Sequence, residues 1–275
     1  MKNEPLTVLT PVGGLNGDIN QMLISVAHQT YRPEYVVLLV DSDLADLDIQ
    51  RSTVAILRRM GIRLTVAYDE HTTSIAKMRR DLIAMSPTQW SVFVDSDAIL
   101  MPDALEQLIH ARNIGTMTLY KGAEIMFVEG ARIEVGGRKD EANFSIMEKK
   151  QVGEDDSTIN EIMCGDTCLL LFRTAPFETL PWDTLLAFYD KRGLGGSDFA
   201  MTVAVLAKGG ATAVGVSAPN AVCWHTASLY RGYWKNYATA DHMLETVVGP
   251  SLDKLFNSTA ASNRIHAVLH PNKED

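Results

Sequence analysis

Residues 6–10 form a short β-prone run closed by Pro11-Val12-Gly13-Gly14, which reads as a strand ending in a tight loop. The period then changes. Within 18–30, Ile19, Met22, Leu23, Val26 and Ala27 recur at i, i+3, i+4, i+7 and i+8, one face of a helix that must pack on something apolar. Residues 36–40 are apolar without alternation, as a strand covered on both faces reads, and they run into Asp41-Ser42-Asp43. The pattern repeats as a helix over 51–60, a strand over 62–68, a helix over 73–85 stopped by Ser86-Pro87, and a strand over 90–94. This alternation of strands and helices predicts an α/β fold with a doubly wound, mostly parallel central sheet flanked by helices. In such a sheet ligands bind beyond the carboxyl ends of the strands. The informative residues are therefore Thr10-Pro11, Asp41-Ser42-Asp43, Tyr68-Asp69 and Asp95-Ser96-Asp97.

Farther on, Pro102 in a first turn, Asp103 and Glu106 near the positive end, and Leu105, Leu108 and Ile109 on one face predict another helix. Residues 129–161 are charged and glycine-containing with little periodicity, which suits a loop or lid better than core. Residues 167–172 return to a strand. Phe199, Val203 and Leu206 mark a helix ended by Gly209-Gly210, and 211–216 reads as a strand. From Tyr230 onward the text is helical in part and ends in a polar tail. One domain over 1–228 is expected, with a first half to about 110 and a second over 111–228, followed by a helical appendage and polar tail over 229–275.

Composition narrows the classes. With 46% hydrophobic and 21% charged residues, the 275-residue chain carries enough apolar side chain for a large core. Its formal net charge of −9 disfavours broad binding to a phosphate backbone, which needs a basic face. No stretch approaches the roughly 18 uninterrupted apolar residues of a membrane span. The first residues lack the basic-then-apolar order of a signal peptide, so a cytoplasmic protein without a transmembrane anchor is expected. Cys164, Cys168 and Cys223 match no zinc-knuckle or redox spacing and read as buried free thiols.

Asp95-Ser96-Asp97 puts two carboxylates at a strand's carboxyl end, spaced so that one or both reach a single cation. Hard oxygen ligands of this kind suit Mg²⁺ or Mn²⁺ bridging a diphosphate. Alone, a D-x-D is a weak signal, because two acids one residue apart recur in solvated turns.

The order of the pieces carries more. The chain resembles the large inverting family two of GT-A glycosyltransferases over approximately 5–110 and 164–226. Leu9-Thr10-Pro11-Val12 is similar to that family's first strand and turn, and Gln29-Thr30-Tyr31-Arg32-Pro33 to the end of its first helix. Val40-Asp41-Ser42-Asp43 resembles the strand-end acid that receives the nucleobase, Met78-Arg79-Arg80 the helix arginine motif, and Asp95-Ser96-Asp97 with Pro102-Asp103-Ala104-Leu105 the metal loop and following helix. Gly195-Gly196-Ser197-Asp198-Phe199 resembles the Gly-x-Glu-Asp segment whose final acid is the catalytic base, although Ser197 stands where Glu is usual. Trp224-His225-Thr226 stands where many members place a metal-binding histidine.

The resemblance implies transfer of a sugar from a nucleoside-diphosphate donor, UDP-sugar favoured, to an acceptor hydroxyl with inversion. It implies a divalent metal (Mn²⁺ or Mg²⁺) on Asp95, Asp97 and His225, and Asp198 as base. Thr10, Pro11, Asp41, Asp43, Arg79, Asp95 and Ser96 would contact the donor. The acceptor stays open between a saccharide and a hydroxylated nucleic-acid base. The latter draws on 229–241, where Tyr230, Tyr233, Trp234 and Tyr237 interleave with Arg231 and Lys235. A helix docking its aromatics on the core reads that segment equally well. Two other functions fit a sheet of this kind: a nucleotidyltransferase acting on a sugar phosphate, and a non-catalytic nucleotide-sugar-binding protein. Against the first, Gly13-Gly14 lacks the basic partner needed to grip a triphosphate.

Overall fold

A run as apolar as 6–12 needs cover on both faces, and β1 (Leu6–Val12) is buried at every position. The computed structural model describes residues 4–13, 19–41, 47–69, 74–116, 124–134, 147–148, 160–162, 165, 167–183, 185–186 and 197–225. It places β1 between β2 (Tyr35–Asp41) and β4 (Trp90–Val94), both parallel to it, with β3 (Arg63–Asp69) parallel on the far side of β2. The helices α1 (Ile19–Ala27), α2 (Arg51–Arg59) and α3 (Ile75–Ala84) alternate with these strands in the chain.

Strand periodicity divides the core. Val8, Val36, Leu38, Val92 and Val94 pack with Met22, Leu23 and Val26 of α1 and Leu57 of α2. The alternate positions Leu9, Val37, Leu39 and Phe93 pack with Met78, Leu82 and Ile83 of α3. Strand order explains the split. The first two crossovers step outward from β1 to β3, the third steps back to β4, and right-handed crossovers of opposite direction lie on opposite faces. A switch in direction therefore falls between β1 and β4, where an open sheet presents its crevice.

Beyond β4 the sheet continues as β9 (Leu169–Arg173), β6 (Glu124–Glu134), β10 (Ala213–His225), β8 (Asn160–Ile162) and β7 (Met147–Glu148). β9 is antiparallel to both β4 and β6, whereas β10 runs parallel to β6. Phe172 of β9 stacks on Phe93 with ring centroids 4.9 Å apart and meets Phe177 at 4.7 Å, stitching the halves across one face. Phe177 belongs to α5 (Thr174–Glu178), and the same cluster takes Met201, Val205 and Leu206 from α6 (Ser197–Gly209). Gly210, at φ 68°, follows α6 in the left-handed conformation that glycine adopts without penalty.

Several expectations change. Residues 129–134 belong to β6 and do not form a loop, because β10 pairs with them through Glu134, while β9 pairs with β6 as far as Glu129. The helix expected to hold Pro102 begins at Ala104 as α4 (Ala104–Ile114), and Pro102 lies in the turn before it, its carbonyl accepting the Thr30 N–H at 2.9 Å. Gln29 supplies the missing cap. Its Oε1 accepts the buried Leu105 N–H at 3.0 Å while its Nε2 donates to the Met101 carbonyl at 2.7 Å. The first helix is shorter than 18–30, and the strand expected over 211–216 extends to His225. Among the described residues no helix is long and apolar enough to cross a membrane. The appendage over 229–275, with its aromatic and basic segment, lies outside the described residues.

Candidate active site

The sheet's own hydrogen bonding assembles the site. Val94, the last residue of β4, is paired with Leu169, and the Asp95 N–H continues the ladder one step to the Cys168 carbonyl at 3.4 Å. The chain then turns. The Ala98 N–H donates to the Asp95 carbonyl at 3.0 Å, closing a β-turn around Ser96 and Asp97. Out of this turn comes β5 (Ala98–Leu100), which pairs antiparallel with the end of β10 so that Ala98 lies opposite His225. Three separate segments thus deliver Asp95, Asp97, Cys168 and His225 to one place.

A break in register lets β10 reach that place. Ala218 is paired with Gly130 and Val222 with Ala131, so residues 219–221 bulge between neighbouring positions of β6. Gly130 makes the room: a Cβ there would stand 2.5 Å from Leu169 Cδ2 and 2.7 Å from the Ala221 carbonyl oxygen. After the bulge, the Val222 carbonyl accepts the Met101 N–H at 3.0 Å and holds the strand end against β5.

His225 Nε2 lies 3.5 Å from Asp97 Oδ1 and 4.0 Å from Asp95 Oδ2. Ligand atoms each about 2.1 Å from one ion lie about 3 to 4.2 Å from one another, so both separations fit a shared cation. Side-chain exposure is 14% for His225, 9% for Asp97 and 27% for Asp95, so the cluster is sheltered yet open on the Asp95 side. Ser96, between the acids, is buried. The donor chemistry of two carboxylates and an imidazole suits a divalent metal.

Sequence reasoning missed one member. Asp95, Cys168 and His225 offer ligand atoms that all lie within 4.8 Å of one another. Cys168 and Cys223 are buried and not joined by a disulfide, as expected, with sulfurs 3.6 Å apart, and Cys164 lies outside the described residues. What brings Cys168 beside Asp95 is the antiparallel pairing of β9 with β4, which no local pattern announces.

Thr10 and Asp41 end up near the carboxyl ends of adjacent parallel strands, on the edge that Asp95 continues. Thr10 is fully buried, yet its Oγ1 has no hydrogen-bond partner among the described residues. Pro11 lies past Leu9, the last residue of β1 paired with β4, so its missing N–H disturbs no ladder on that side. Asp41 is half-buried, and Asp43 falls outside the described residues. Arg79 is buried in α3 and donates to Thr167 Oγ1, the neighbour of Cys168, so it is not a solvated helix residue. Asp69, at the end of β3, pairs with Lys77 at 3.1 Å. Asp198 is the second residue of α6.

No protein-family model and no curated protein matches the sequence. Solved structures do. TarS of S. aureus aligns with 98% of the chain at a TM-score of 0.59 and 15% identity, and the chain spans 44% of that protein's length. Its fragment 1–349 in complex with UDP-GlcNAc aligns with 97% of this chain and 71% of its own at a TM-score of 0.61 and 16% identity. The mannosyltransferase PcManGT from Pyrobaculum calidifontis, in complex with GDP-Man and Mn²⁺, gives 0.57 and 15% over 99% of this chain and 77% of its own. GalNAc-T7 with UDP, GalNAc and Mn²⁺ gives 0.61 and 11% over 99% and 58%. The architecture is the GT-A fold, a mostly parallel curled sheet with flanking helices.

Proposed function

We propose that this GT-A chain is a metal-dependent glycosyltransferase that moves a sugar from a nucleoside-diphosphate donor, UDP-sugar favoured, to an acceptor hydroxyl with inversion. The observation that carries the reading is the meeting of Asp95, Asp97 and His225 at the carboxyl edge of the sheet, with His225 Nε2 3.5 and 4.0 Å from the two carboxylates. Donor and metal in the complexes of similar fold, UDP-GlcNAc in one and GDP-Man with Mn²⁺ in another, support the same assignment.

Each residue then has a task. Asp41 accepts an N–H from the nucleobase, as uracil offers, and the orphaned Thr10 Oγ1 gains a partner when the nucleoside occupies the crevice. Arg79 pairs its fork with diphosphate oxygens. Asp95, Asp97 and His225 would hold the divalent ion, which would supply positive charge against the departing diphosphate. Asp198, in the first turn of α6, takes the proton of the acceptor hydroxyl. As that proton leaves, the acceptor oxygen bonds to the anomeric carbon and the nucleoside diphosphate departs from the opposite face. The acceptor is a saccharide or a hydroxylated nucleic-acid base.

Thermal-shift measurements with UDP, GDP and UTP, each with and without Mn²⁺, test the reading. Stabilisation by a diphosphate, dependent on the metal, is expected, and at a hundredfold excess over Kd it amounts to about 2.7 kcal/mol. Preference for a triphosphate would favour nucleotidyl transfer instead.

A further inference from the structure

We propose that Cys168 is a thiolate ligand of the metal centre, completing it with Asp95 and His225, and that the centre therefore favours thiophilic divalent cations of the Zn²⁺ and Co²⁺ class over Mg²⁺. The inference rests on the metal reading above and adds to it a ligand and a selectivity. Its ground is positional. The mutually compact donor set is Asp95, Cys168 and His225, all within 4.8 Å, so the sulfur belongs to the cluster. Asp97 approaches His225 from the opposite end of the β-turn, at 3.5 Å.

The backbone holds the sulfur there. Cys168 is 1% exposed, and its carbonyl is bound to the Asp95 N–H. Its neighbour Thr167 is bound to Arg79 and its other neighbour, Leu169, is registered against Val94. A side chain fixed on both flanks needs little further ordering to bind. Tetrahedral ligation by sulfur, oxygen and nitrogen at about 2.0 to 2.3 Å would set ligand atoms roughly 3.5 Å apart, so binding would draw together atoms that now lie within 4.8 Å of one another. Binding replaces the S–H bond by a sulfur–metal bond and releases the thiol proton to solvent. A thiolate in the set moves the preference from hard cations toward Zn²⁺ and Co²⁺, which accept sulfur and imidazole together. Cys223, with its sulfur 3.6 Å from Cys168, is the internal control, since it lies outside the compact set.

Cobalt reads the ligand directly. Apoprotein titrated with Co²⁺ under reducing conditions should develop a sulfur-to-cobalt charge-transfer band in the near ultraviolet along with visible d–d bands. Cys168→Ser should abolish the charge-transfer band and weaken Co²⁺ affinity by a factor on the order of 10², while Cys223→Ser should retain both. Visible bands without charge transfer in the unsubstituted protein would overturn the thiolate ligand and leave the carboxylate–histidine centre standing. A charge-transfer band lost in Cys223→Ser but kept in Cys168→Ser would also overturn it, with the wrong cysteine bound. Absence of any cobalt spectrum, with and without UDP, would remove the metal reading itself and this inference with it. A missing charge-transfer band in the unsubstituted protein overturns the proposal whether or not the variants fold, and where the band appears the pair of variants assigns it to its cysteine.

Discussion

In the proposed function Asp41 serves binding and Asp198 serves chemistry, so substitutions at the two should have different effects. Asp41 ends β2 half-buried on the ligand edge, where an acceptor for a base N–H is worth about 0.5 to 3 kcal/mol. Asp41→Ala should weaken calorimetric binding of free UDP by that amount, and an unchanged affinity would reduce Asp41 to the end of a strand. Asp198 has a different signature. Asp198→Asn keeps the shape of the side chain in the first turn of α6 while removing the basic group. Turnover should fall by a factor on the order of 10² to 10⁴ with UDP affinity nearly intact. Wild-type turnover would make Asp198 a first-turn helix residue only. A variant that lost UDP affinity and thermal stability together would have damaged the fold, leaving the base unassigned.

Among the elements, β10 governs the site and its bulge is the vulnerable point. Gly130→Ala would press a Cβ on the Ala221 carbonyl and on Leu169, the residue after Cys168, so it should lower stability by about 1 to 3 kcal/mol in urea denaturation. An unaltered midpoint would mean that the bulge yields without cost. The same region marks where sequence stops informing. Strands β1 to β4 were legible because local period and strand-end acids repeat in a β-α rhythm, and each pairs in parallel with neighbours that the rhythm itself supplies. β6 was not, because Glu129, Gly130 and Arg132 break its apolar run just where the strand approaches the site. β10 was cut short at Val216 because Pro219 and Asn220 look like a stop, although they are the exposed part of a bulge inside the strand. Asp95, Asp97 and His225 could be named from residue type and order. Cys168 could not, since its place depends on the antiparallel pairing of β9 with β4.

For the molecule as a whole, a β-α half carrying Thr10 and Asp41 at its strand ends is joined by β9 to a half whose last strand folds back to the turn of Asp95 and Asp97. The proposed metal centre would need both halves, because Asp95 and Asp97 come from one and His225 from the other. The dependence on a cation is therefore the most exposed part of the account. The measurement that meets it most directly is acceptor-free hydrolysis of a panel of UDP- and GDP-sugars, run with a divalent cation, with chelator, and with Asp97→Ala. The account predicts slow release of nucleoside diphosphate from one donor class, abolished by chelator, restored by added metal, and lost in a folded Asp97→Ala protein. Full hydrolysis in chelator would contradict the metal centre, and failure to turn over any donor that the protein binds would make it a nucleotide-sugar-binding protein without catalysis.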